Sequence, residues 1–183
     1  MIKATETKLK GCFVLEPIIH EDDRGYFFES YNHRDFCDAI RQEITFVQDN
    51  MSYSKKGVLR GLHFQVGEHA QAKLVSVMQG RIQDVVVDLR KDSLTFGQHI
   101  SMELSCENRK SMFIPKGFAH GFLTLSNMAK VFYKCDDYYN REAEGGVRYD
   151  DPILGIDWNM NDHKVILSEK DKILPSFNEY LST

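Results

Sequence analysis

Gly57-Val-Leu-Arg-Gly-Leu-His-Phe-Gln65, Lys73-Leu-Val-Ser-Val-Met-Gln79 and Ile82-Gln-Asp-Val-Val-Val-Asp-Leu89 follow one another with only short polar breaks. Each run is rich in β-branched and other apolar residues and has the length of a strand rather than of a helix. The last two alternate over part of their length, so that polar side chains gather on one side. Asp84 and Asp88 share such a face, which is either a solvated sheet surface or part of a lined cavity.

The same texture continues in both directions. Runs at 10–15, 25–31, 46–53, 58–65, 73–79, 82–89, 99–104, 111–114, 121–125 and 130–135 all read as strands. Helical signal is sparse. Asn32 can cap a short helix in which Phe36, Ala39 and Ile40 fall at i, i+3 and i+4, ending before Thr45. Ser168-Glu-Lys-Asp171 has capping-box spacing, with Asp where Glu or Gln is usual, and predicts a short helix over 168–174 before Pro175. About ten short antiparallel strands with a cavity at one end predict an all-β jelly roll, the double-stranded β-helix of the cupin type, with a few peripheral helices.

The 183 residues and 21.2 kDa suit one domain over residues 1–183, able to bury roughly 70% of its unfolded surface. With 23 Lys+Arg against 27 Asp+Glu, the net charge of -4 speaks against a nucleic-acid surface, and no apolar run is long enough for a membrane span. An anionic small ligand remains compatible, because a few focused cations decide that. Cys12, Cys37, Cys106 and Cys135 form no CxxC pair, and the first residues lack a secretory signal, so reduced thiols and a cytoplasmic location are expected.

The densest chemistry lies in Arg60, His63 and Gln65. Arg60 is one residue out of phase with His63 unless Gly61 marks a bulge. The spacing Gly57-x5-His63-x-Gln65-x7-Lys73-x6-Gly80 resembles the first cupin motif, and Pro115-x4-His120 resembles the second. Gln65 replaces the motif's second His, and Lys73 replaces its anionic Glu. Two histidines beside an ammonium make a poor divalent site, so no metal and no cofactor is expected, and acid/base groups take the metal's place.

Asp23-Arg-Gly-Tyr-Phe-Phe-Glu29, Gln48-Asp-Asn-Met-Ser52, Gly57 to Gln65, Gln71-Ala-Lys-Leu-Val75, Asp84-Val-Val-Val-Asp-Leu-Arg90, Ile114-Pro-Lys-Gly-Phe-Ala-His-Gly-Phe122 and Asp150-Asp-Pro152 together resemble the dTDP-4-dehydrorhamnose 3,5-epimerase family over about residues 10–175. That resemblance implies a homodimeric, metal-free cupin that inverts carbons 3 and 5 of a dTDP-linked 4-keto-6-deoxy sugar. Each inversion removes a proton beside the ketone, passes through an enolate and returns a proton from the other face.

By resemblance His63 is the base, oriented by Asp171, whose carboxylate is also claimed by the helix cap. Tyr133 is the acid, and Lys73 meets the keto oxygen. Arg24, Arg60 and Lys170 suit the diphosphate, while Glu29, Gln48, Asp49, Asn50, His120 and Glu144 are further substrate contacts. Tyr139 is matched to the thymine-stacking position, with Tyr138 as its rival, and Glu144 also reads as part of a solvated charge run. The N-terminal strands, with Arg24 and Glu29, are expected to reach the partner subunit's site, and the chain to end in a short helical tail.

Two other functions fit less of this pattern. A monoepimerase acting at one carbon would use the same groups, and a silent nucleotide-sugar-binding cupin would not need His63, Lys73, Tyr133 and Asp171 together. His20, His33, His69, His99 and His163 stand outside every motif, Trp158 reads as packing, and Leu94 stands where relatives commonly carry proline.

Overall fold

The computed structural model describes residues 2–160 and 164–182; His163 lies outside the described residues. In chain order the strands are β1 (Ile2–Glu6), β2 (Phe13–Pro17), β3 (His20–Asp22), β4 (Gly25–Phe27), β5 (Gln48–Lys55), β6 (Leu59–Gln65), β7 (Lys73–Gln79), β8 (Arg81–Asp88), β9 (His99–Ser105), β10 (Ser111–Ile114), β11 (Phe118–Thr124), β12 (Met128–Cys135) and β13 (Glu144–Gly146). Helix α1 (His33–Ile40) lies between β4 and β5, and α2 (Glu169–Lys172) and α3 (Phe177–Leu181) close the chain. A six-stranded sheet, ordered β1-β2-β10-β7-β12-β5, faces a five-stranded one, ordered β13-β6-β11-β8-β9, and β3-β4 forms a separate hairpin. All pairings within these sheets are antiparallel, as the cupin-type jelly roll requires.

Every expected strand overlaps an observed one. β1, β3 and β13 lie outside the strands read from the sequence, although Ile2 and Ala4 of β1 pack against apolar residues. His20-Glu-Asp22 is wholly exposed and Glu144-Gly-Gly146 has no apolar side chain, so pairing rather than burial makes these segments strands. α1 starts as expected, with Asn32 Oδ1 accepting from the Asp35 N–H. α3 lies beyond the helices expected from the sequence; Ser176 and Glu179 form its complete capping box.

Three apolar clusters follow from strand alternation. Val75, Val77, Met112, Ile114, Ala129 and Val131 of one sheet meet Ile82, Val86, Leu104, Phe118 and Phe122 of the other inside the sandwich. On the outer side of the six-stranded sheet, Leu15, Leu74 and Phe113 pack against Phe36 and Ile40 of α1. On the outer side of the five-stranded sheet, Val85, Val87, Ala119 and Leu123 are covered by Val147, Leu154, Trp158 and Phe177. Trp158 is packing, as expected, and its indole N–H donates to the Tyr149 carbonyl. Each Val, Leu, Ile, Met or Phe side chain among these is worth about 1.5–3 kcal/mol of burial.

Both faces of β8 are therefore covered, which rules out a solvated face for Asp84 and Asp88. They are 1% and 0% exposed and sit on the interior face with Ile82 and Val86. A carboxylate there needs partners. Asp88 accepts from Arg90, Ser93 and Thr95, pinning the loop that leads to β9, while Asp84 pairs with His120. Leu94 projects fully exposed from the same loop.

Candidate active site

A cavity of about 520 Å³ opens between the sheets. Arg60 and His63 of β6 and His120 and Phe122 of β11 line one wall. Ser52 of β5, Lys73 of β7 and Tyr133 of β12 line the opposite wall, and Ile166 to Asp171 form part of the rim.

A bulge sets the phase of β6. His120 pairs with His63 and Phe122 with Arg60, so two steps along β11 meet three along β6, and the extra residue brings Arg60 and His63 to the same face. Gly61 permits this: its φ is +122°, and a Cβ there would lie 2.6 Å from Gly121 Cα. Gly80 is equally constrained in the link between β7 and β8, since its φ is +77° and a Cβ would lie 2.1 Å from the Met128 carbonyl oxygen.

His63 Nε2 lies 2.6 Å from Asp171 Oδ1. An ionised carboxylate only accepts, so this contact places the proton on Nε2 and leaves Nδ1 with its lone pair. Asp171 reaches His63 because the tail is tied along β6: the Leu59 N–H donates to Ile166 O, and the Ile166 N–H to Gly57 O. Further on, the Phe177 N–H donates to Asp151 and the Phe177 ring is buried.

The rivalry between helix cap and His63 partner is resolved by the two carboxylate oxygens. Oδ1 takes His63, while Oδ2 accepts from the Ser168 hydroxyl at 2.8 Å, and Ser168 Oγ in turn accepts the Asp171 N–H. Burial alone would push this carboxyl up. Hydrogen bonds from His63, Ser168 and the Gly61 N–H outweigh it and hold the group below its ordinary value.

His120 makes a parallel arrangement, with Nε2 2.7 Å from Asp84 Oδ1 and both groups buried. On the opposite wall, burial pushes the Lys73 ammonium down and the Tyr133 phenol up. Both shifts suit chemistry: a poorly solvated cation interacts strongly with developing negative charge, and a phenol kept protonated can donate.

The remaining expected residues divide. Arg60 is held by Ser54 Oγ and the Tyr53 carbonyl, with its head at the cavity. Lys170 pairs with Glu144, and Glu144 accepts from the Tyr139 hydroxyl at 2.9 Å. Glu144 is thus part of a fixed network rather than of a solvated charge run, and these two contacts hold its carboxyl below its ordinary value against burial. Tyr139, not Tyr138, is tied to the site: its N–H donates to Gln48 Oε1, and neither tyrosine lies in a strand whose phase could have decided.

Gln48 and Asn50 alternate onto one side of β5 with the cavity-lining Ser52, a residue that the same period-two reading would have supplied. Asp49 points the other way, to Lys134 at 3.0 Å. Gln65 is not a cavity residue. Its amide is spent on the His69 carbonyl and the Asn140 N–H, and with Lys73 cationic the set His63, Gln65, Lys73 and His120 does not fit a divalent metal.

Arg24 and Glu29 are not brought to this cavity by their own chain. Arg24 forks onto Asp22 in the β3–β4 hairpin, and Glu29 accepts from Asn32. The hairpin carries Tyr26 and Phe27 at 55% and 70% exposure, an apolar surface unusual for a free tip.

The family described as dTDP-4-dehydrorhamnose 3,5-epimerase matches residues 6–179. The dTDP-4-dehydrorhamnose 3,5-epimerase of Salmonella typhimurium is 47% identical over 183 residues, all of both chains. A crystal structure of the enzyme of that name from Elizabethkingia anophelis shares 52% identity with a TM-score of 0.93, covering 97% of each chain. One of dTDP-6-deoxy-D-glucose-3,5-epimerase from Legionella pneumophila, in complex with dTDP-4-keto-L-rhamnose, shares 46% identity with a TM-score of 0.93 over 97% of this chain and 94% of that one.

Proposed function

The chain belongs to the dTDP-4-dehydrorhamnose 3,5-epimerase family, and on that premise we propose how its residues perform the reaction. The enzyme inverts carbons 3 and 5 of dTDP-4-dehydro-6-deoxy-D-glucose to give dTDP-4-dehydro-L-rhamnose. Relatives sharing about half the sequence carry the name of the two-carbon reaction, which favours it over inversion at one carbon.

The observation that supports this mechanism is that His63 and Tyr133 line one cavity from facing sheets. His63, on the five-stranded sheet, takes the proton beside the ketone through Nδ1, and Asp171 stabilises the imidazolium that forms. The electron pair moves onto the keto oxygen, where Lys73 of the opposite sheet compensates the charge. Tyr133, on β12 between β7 and the edge strand β5, returns a proton to the opposite face of the carbon. The phenolate is then reprotonated from solvent and His63 releases its proton, so no net proton is consumed.

Arg60 and Lys170 hold the diphosphate, Tyr139 stacks on thymine, and Gln48, Asn50, Glu144 and His120 contact base and sugar. Asp49 contributes through its position in β5, since its carboxylate turns to Lys134. The exposed Tyr26 and Phe27 support a homodimer in which Arg24 and Glu29 enter the partner's cavity, which would complete the diphosphate and sugar contacts. The working protein is a single-domain cytoplasmic enzyme. Among the described residues no helix is long and apolar enough to cross a membrane.

Incubation with dTDP-4-keto-6-deoxyglucose in heavy water, followed by NMR, tests this reading. Deuterium is expected at carbons 3 and 5; label at one carbon would make it a monoepimerase, and dTDP binding without label would make it a binding module. His63→Ala should abolish exchange. Tyr133→Phe should leave proton removal but slow or misdirect its return, and equal loss of both steps would refute the division of roles.

A further inference from the structure

We propose that His33, Cys37 and Glu43 form a binding site for a borderline-soft divalent cation, zinc in the first instance, on the surface of α1 outside the catalytic cavity.

His33 and Cys37 are one helical turn apart in α1, so their side chains share a face. The helix ends at Arg41, whose left-handed backbone, with φ +56°, turns the chain back on itself. That reversal returns Glu43 to the first turn, where its Oε1 lies 2.9 Å from His33 Nε2. Cys37 Sγ lies 3.8 Å from His33 Nδ1. One ring nitrogen, the sulfur and one carboxylate oxygen all lie within 4.8 Å of one another.

Zinc bound at about 2.0–2.3 Å to nitrogen, oxygen and sulfur spaces tetrahedral ligand atoms by roughly 3.3–3.7 Å. Counted to a single ring nitrogen, the three atoms lie within 4.8 Å, so they must draw in by about 1 Å to reach that spacing. The thiol is buried and fixed, whereas the His33 and Glu43 side chains are 48% and 76% exposed and free to close the remaining distance. A thiolate and a carboxylate neutralise the dication, the imidazole enters neutral, and water takes the fourth position. Binding releases the Cys37 proton to solvent. Coordination through Nε2 leaves Nδ1 facing the Tyr31 hydroxyl at 3.3 Å, the outer partner that orients a metal-bound imidazole.

The ion would fasten α1 to the segment that runs through Phe46 into β5. The test is titration of chelator-treated full-length protein with zinc by calorimetry and with cobalt by absorption spectroscopy. One equivalent is expected, with a thiolate-to-cobalt charge-transfer band in the near ultraviolet that survives Cys106→Ser and disappears in Cys37→Ser. His33→Gln and Glu43→Gln, both at exposed positions, should weaken binding about tenfold or more while leaving epimerisation unchanged. Absence of the band, its loss only with Cys106→Ser, or zinc affinity indifferent to His33→Gln would overturn the proposal. None of these outcomes depends on the catalytic assignment.

Discussion

His63 and His120 stand directly opposite each other on β6 and β11, and each presents Nε2 to a buried carboxylate, Asp171 for the first and Asp84 for the second. The carboxylates arrive by different routes. Asp84 belongs to β8, the strand next to β11, so the sheet itself holds it, whereas Asp171 is delivered by a tail tied down through Ile166 and Phe177. His63 is thus oriented by a residue 108 positions away in the chain.

Asp171→Asn keeps the shape but removes the charge and the fixed tautomer of His63. We expect kcat to fall by about 10³–10⁴ with KM little changed. Ser168→Ala removes the contact to Oδ2 and the cap on the Asp171 N–H but leaves the Oδ1 contact to His63, and should cost about tenfold, a net hydrogen bond of roughly 1–1.5 kcal/mol. Steady-state rates with the keto sugar decide; equal effects of the two substitutions would contradict the division of labour between the oxygens.

The alkaline limb of the kcat profile should belong to Lys73. Burial lowers the Lys73 pKa, which moves loss of the ammonium and of its enolate stabilisation to lower pH, while burial raises that of Tyr133 and keeps its phenol protonated longer. Lys73→Arg, which stays charged, should slow the enzyme but move that limb upward. A limb that stays in place would assign it to another group.

Gln65→Leu keeps the volume while removing the bonds to His69 and Asn140 that hold the loop carrying Tyr139. The expected result is a KM increase of about tenfold with kcat nearly intact, measured alongside dTDP affinity. A fall in kcat at unchanged KM would place Gln65 in the chemistry instead.

Asp88 predicts acid behaviour. Burial opposes ionisation, but Arg90, Ser93 and Thr95 hold its carboxyl down at about 2, against an ordinary value of 3.8. The folded-state pKa is the lower one, so the contribution is complete above the unfolded pKa and is lost as pH falls from about 4 toward 2. It amounts to about 2 kcal/mol. Asp88→Asn should therefore unfold more easily in urea at neutral pH, and the gap to the parent protein should close near the acid end.

Ten of the thirteen strands among the described residues were legible in the sequence alone, as were the Asn32 and Ser168 caps. So were a bulge at Gly61 as the condition for Arg60 and His63 to share a face, and a donor set in which Gln65 and Lys73 stand where cupin metal ligands would be. These are local properties: period-two burial, side-chain capping, the conformational range of glycine and donor chemistry are all carried by neighbouring residues. The family resemblance supplied the pairing of His63 with Asp171, which lie 108 residues apart. Tertiary structure alone decided that both faces of β8 are covered, so that Asp84 and Asp88 are buried and must be paired. It also tied Tyr139 to Gln48 and Glu144 and turned Asp49 outward. Periodicity says which side chains share a face, but which face is covered, and which distant carboxylate arrives there, is settled only when strands from the whole chain pack together.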